Sequence, residues 1–150
     1  MKIGGEEKII ILPPMERTRP TRTELEKLES EEKQIQLEYR IKQLNEILRK
    51  SIEGLKLSKS SEEIFLNKRI VVETLCNLAI AYAELNKRAE LLNTLIDLKF
   101  YTNKNINELL SAIQTVELII KEGINIKIDF LDRLKVLLHR IKREHEIFEP

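Results

Sequence analysis

The chain has 150 residues, a formal net charge of +1, one cysteine, four glycines, four prolines and no tryptophan. That length suits about one domain, able to bury roughly two-thirds of its unfolded surface without metals or disulfides. The near-neutral charge excludes a global pull toward nucleic acid or anionic membrane, the single cysteine excludes an intrachain disulfide, and scarce glycine and proline argue against an all-β sandwich or a loop-rich enzyme.

Charged residues make up 34% of the chain. Beside many Ile, Leu, Lys and Glu, this suits a helical protein and also the ion-pair-rich composition of thermophiles. No stretch reaches the ~20 uninterrupted apolar residues of a membrane span, and residues 1–22 hold charges and prolines where a signal peptide has an apolar run. The expectation is a cytoplasmic, soluble protein with no membrane partner.

Residues 1–22 form an extended N-terminal arm in this reading, ahead of a single helical-bundle domain over residues 23–150. Ile9, Ile10, Ile11 and Leu12 make a β-prone apolar run stopped by Pro13 and Pro14. Such a run left free invites aggregation, so it is expected to pair or dock, on its own domain or on a neighbouring subunit. Arg17, Arg19 and Arg22 follow around Pro20, in a stretch that cannot be helix interior and could touch phosphates.

Thr23 is the expected cap of the first long helix, with Glu26 completing a capping box. Acids crowd its start and Arg49 and Lys50 its end, as the helix dipole prefers. Leu25, Leu28, Ile35 and Tyr39 form one apolar stripe; Leu37, Ile41, Leu44, Leu48, Ile52 and Leu55 form another about half a turn away. Either the chain breaks near residues 30–33, or one helix offers opposite faces along its length. In the second case Leu25, Leu28 and Ile35 are left for a partner.

Gly54 and the serines at 58, 60 and 61 separate this helix from a central one, Ser61 to Leu85, which carries a single charge, Glu73, between Ile70 and Ala83. A helix apolar on most sides must be buried on most sides. Val71, Leu75, Leu78, Tyr82 and Leu85 form its main stripe, and Phe65, Val72, Cys76, Ala79 and Ala83 a second one of smaller residues. The run Asn77 to Asn86 is similar to the first half of a tetratricopeptide helix pair, but no second copy follows and no solenoid is expected.

A third helix, Ala89 to Tyr101, should bury Leu91, Leu92, Leu95, Ile96, Leu98 and Phe100. Asn105 should cap a fourth that Gly123 ends, with Ile106, Leu109, Leu110, Ile113, Val116 and Ile120 inward. Ile124 to Ile128 alternates strictly and reads as a short extended segment that could pair with Ile9–Leu12. Asp129 is the expected cap of the last helix. The fold class is all-α: a bundle of four to five helices with an extended arm and room for one short β pairing.

On the last helix Lys135, His139, Lys142 and Arg143 share a face and are well spaced for phosphates, yet Asp132 and Glu146 lie beside them and can neutralise a solvated face. His145 falls in the apolar stripe of Leu134, Leu138 and Ile141. Arg140 to His145 resembles the Arg-x4–6-His pattern of HEPN-type helical ribonucleases, which implies RNA cleavage as a third reading; Arg133 to His139 fits the same pattern. There is no metal-ligand motif and no Gly-rich phosphate loop. No catalytic residue, metal, cofactor or small-molecule substrate is expected. The leading expectation is a non-catalytic structural or assembly protein, self-associating or bound to another subunit. The alternative is a helical subunit of a nucleoprotein complex, such as a viral nucleocapsid protein or an accessory subunit of an RNA-guided effector, holding a DNA or RNA backbone.

Overall fold

Ser60 opens the most buried helix of the molecule. Its hydroxyl accepts from the Glu63 N–H at 3.1 Å, while the Glu63 carboxylate accepts from the Ser60 N–H at 3.3 Å. This reciprocal box satisfies two amides that a helix start otherwise leaves bare. In the computed structural model, which describes residues 21–147, that helix is the second of five: α1 Arg22–Leu57, α2 Ser61–Glu84, α3 Arg88–Tyr101, α4 Ile106–Glu122 and α5 Ile128–Ile147. The fold is the all-α bundle that the periodicity predicts. The arm residues Ile9–Leu12, Arg17 and Arg19 lie outside the described residues.

The chain divides into two units, Met1–Gln36 and Leu37–Pro150. In the second, α2 packs against α3 and α5, α3 packs against α4, and α4 meets α5 over a smaller contact. Val71, Val72, Leu75, Cys76, Ala79 and Ala83 of α2 are enclosed by Leu91, Leu95 and Leu98, by Leu109, Ile113 and Val116, and by Leu134, Leu138 and Ile141. Each buried leucine or isoleucine stabilises by about 1.5–3 kcal/mol. Leu78, although fully buried, lies outside this cluster, as do Leu44 and Ala81. Tyr82 is half-buried and its hydroxyl accepts from Asn45 Nδ2 on α1 at 3.3 Å. The main stripe of α2 therefore serves two contacts rather than one centre.

α1 is continuous, and its cap is Thr21 rather than Thr23. Thr21 Oγ1 accepts from the Glu24 N–H at 3.1 Å and the Glu24 carboxylate accepts from the Thr21 N–H at 2.8 Å. The sequence holds two overlapping Thr-x-x-Glu boxes, and the helix begins at the first. Gly54 does not end α1 but sits inside it. A Cβ there would lie 3.1 Å from Asn67 Oδ1, and Asn67 Nδ2 donates to Ser58 Oγ at 3.0 Å. The missing side chain lets the two helices approach.

Two faces are rotated from expectation. In α3, Phe100 is 81% exposed and Ile96 42%; Phe100 follows Leu98 by two residues, which turns it about 200° from the core. In α4 the buried face is Leu109, Ala112, Ile113, Val116 and Ile119, leaving Leu110 and Ile120 exposed. Asn105 adopts φ 53° without a side-chain cap bond, and its amide donates instead to Glu144 Oε1 at 2.8 Å. Gly123 ends α4 in the left-handed conformation, as its position predicts.

The short β pairing does not form at Ile124–Ile128. Residues 124–127 are irregular and Ile128 already belongs to α5. The backbone groups a ladder would use are taken by side chains near the end of α2 and the start of α3: the Ile126 N–H donates to Asn86 Oδ1 at 2.8 Å and Ile124 O accepts from the Arg88 guanidinium at 2.7 Å. α5 begins where the Leu131 N–H reaches Lys127 O, so Asp129 lies in its first turn and is not its cap.

Candidate protein interface

Within the first unit, every residue from Thr21 to Gln36 is exposed. That includes Leu25, Leu28 and Ile35, at 46%, 56% and 66%. At ~3.6 residues per turn these three share one face, and a run of large apolar side chains on one exposed helix face marks a contact surface. Charge is sorted around that face. Glu24, Glu29, Glu31 and Glu32 fall within about 90° of the stripe's midline, whereas Arg22, Lys27 and Lys33 lie more than about 100° from it. None of the four acids is ion-paired among the described residues. Hydrophobic periodicity alone finds the stripe; the sorting of charge appears only when acids and bases are placed on the helix.

Within the second unit, α4 and α5 leave a groove of about 440 Å³ between them. Ser111, Ala112 and Thr115 on α4 are small, so the wall they make is low, and Phe130, Leu137 and the half-exposed Val136 line the opposite side. Arg133 and Arg140 stand on the α5 wall. Glu108 is the one acid among the lining residues, 4.0 Å from Arg140. Nothing in the periodicity of α5 marks this groove, because its depth comes from small residues on another helix.

Lys135, His139 and Lys142 of α5 line a second cleft, of about 410 Å³, walled also by Leu37 and Arg40 of α1 and by Asn77, Ile80, Ala81 and Glu84 of α2. Lys135 Nζ is 3.0 Å from Glu84, and Lys142 Nζ donates to Asn77 Oδ1 at 2.9 Å. Both lysines are thus held by α2, while His139 and Arg143 are exposed. Arg40 joins this group from a distant part of the sequence, which no single-helix projection could reveal. Arg22 is exposed at the first residue of α1.

Cys76, His145 and Arg140 occupy separate places. Cys76 is fully buried and burial pushes its thiol up to about 12, so it remains protonated. His145 Nε2 lies 2.8 Å from Thr102 Oγ1, while Arg140 faces Glu108 on α4. Among the described residues no group of three or more metal-ligating side chains gathers, and no helix is long and apolar enough to cross a membrane. No family model matches this chain, and no curated protein or solved structure matches it.

Proposed function

We propose that this chain is a non-catalytic helical assembly subunit that works through protein–protein contacts, with a second copy of itself as its partner. The observation behind this reading is the stripe of Leu25, Leu28 and Ile35, exposed on a helix segment in which no residue is buried. Folding of the chain gains nothing from these apolar side chains, and association would remove them from water.

Light scattering over a wide concentration range tests it. The full chain should weigh more than a monomer, and Leu28→Ser with Ile35→Ser should lower the mass without changing thermal melting. A wild-type monomer at every concentration would sink the reading.

Binding of a DNA or RNA backbone is the second reading, supported by the gathering of Arg40, Lys135, His139 and Lys142 in one cleft. Affinity for a short duplex should fall with salt at a log–log slope of about −0.9 per phosphate neutralised. Arg40→Gln with Lys142→Gln should flatten that slope, and absence of binding at low salt would remove this reading.

A further inference from the structure

The two surfaces described above complement each other. The exposed face of α1 is apolar at its midline and acidic on its flanks; the α4–α5 groove is apolar at its floor and carries two arginines along one wall. The spacing agrees as well. Leu28 and Ile35 are seven positions apart, and so are Glu24 and Glu31 on one flank, about 10.5 Å along a helix. Arg133 and Arg140 are also seven apart on α5, which gives the same rise of about 10.5 Å.

A face-to-face pairing of two α1 stripes is disfavoured. It would bring eight carboxylates, four from each copy, around one apolar seam, with every base of residues 22–36 turned away. Like charges flanking a helix seam oppose pairing, whereas opposite charges there set partner choice.

We infer that the α4–α5 groove of one copy receives the 22–36 segment of α1 from another copy, with Leu28 and Ile35 in the groove against its Val136 side and with Glu24 and Glu31 on Arg133 and Arg140. This rests on the self-assembly reading and specifies its geometry. The contact is head-to-tail, since the stripe and the groove are different surfaces. Repeated from copy to copy, it closes into a ring or extends into a filament instead of stopping at a two-fold dimer. The ion pairs add orientation and the apolar stripe supplies most of the driving force.

Charge reversal separates this docking from other modes of self-association. Arg133→Glu with Arg140→Glu should weaken association at least tenfold in sedimentation velocity at low salt, and so should Glu24→Lys with Glu31→Lys. A chain carrying all four changes should recover, because both surfaces are then reversed together. Stripe-to-stripe pairing would instead ignore the groove changes and strengthen with Glu24→Lys and Glu31→Lys, which put both signs of charge around its seam. Glu24 also caps α1 and Arg140 faces Glu108, so Arg133→Glu and Glu31→Lys alone, checked by melting temperature, provide a second pair of variants. Association unchanged in a normally melting Arg133→Glu protein, but abolished by Leu28→Ser with Ile35→Ser, would overturn this docking and leave the assembly reading standing. A wild-type protein that never associates would overturn both.

Discussion

Thr102 Oγ1 lies 2.8 Å from His145 Nε2 and joins the residue after α3 to the end of α5. The hydroxyl also accepts from the Lys104 N–H at 3.0 Å, so its proton is free to be donated to the ring nitrogen. That arrangement uses a neutral imidazole. Burial, followed by the charges of Lys104 and Lys68, lowers the His145 pKa from its ordinary 6.5, with only Glu144 acting the other way.

A histidine whose folded pKa is lowered binds its proton more readily when unfolded. Its contribution to stability is full above the unfolded value of about 6.5 and is lost as pH falls from there through the lower folded pKa. Urea midpoints measured between about pH 7.5 and about pH 5 should fall with acidification, across the range where histidine titrates. His145→Gln should show a shallower fall. An identical slope in the variant would place the acid sensitivity elsewhere.

Asn86 holds φ 57° just after α2, a conformation that costs a residue with a Cβ about 1–2 kcal/mol. Its side chain offsets that by donating to Asn125 at 2.9 Å and accepting from the Ile126 N–H at 2.8 Å. Asn86→Ala should destabilise by about 1–3 kcal/mol, since it keeps the strain and loses both bonds. Asn86→Gly, which relieves the backbone, should lose less. Equal losses in denaturant titrations would mean the bonds alone matter.

Cys76 should be silent toward thiol reagents in the native protein. With its thiol pushed up to about 12 by burial, almost no thiolate exists near neutral pH, and no path reaches it without opening the core. Labelling with an aromatic disulfide should follow the unfolding equilibrium as denaturant is added. Rapid labelling in buffer alone would show that α2 is less enclosed than its burial implies.

Leu98 and Phe100 are two residues apart and should behave oppositely. Leu98 is fully buried, and its change to Ala should cost about 2–5 kcal/mol. Phe100 is 81% exposed and touches Tyr101 edge-on at 5.1 Å. Its change to Ser should stay within about 0.5 kcal/mol, as for ordinary surface positions. Chemical denaturation of the two variants checks both at once.

The sequence by itself determined the elements. The capping box at Ser60 and Glu63, the left-handed Gly123, the burial of α2 and the separation of two stripes on α1 follow from local chemistry and helical period. These depend on residues within about one turn of each other or on a repeat along one helix. Tertiary structure decided everything that needed a second element. The alternation of Ile124–Ile128 reads as strand, yet Asn86 and Arg88 occupy its backbone groups from forty and thirty-six residues away and leave it irregular. Asn105 has the chemistry of a cap, but Glu144 takes its side chain. Phe100 and Leu98 are both apolar, and only the direction of the neighbouring helices puts one in the core and the other in water. The cleft that unites Arg40 with Lys135, His139 and Lys142, and the groove between α4 and α5, exist only once helices pack. Small residues on one helix and charges on another meet through space, where no spacing along the chain records them.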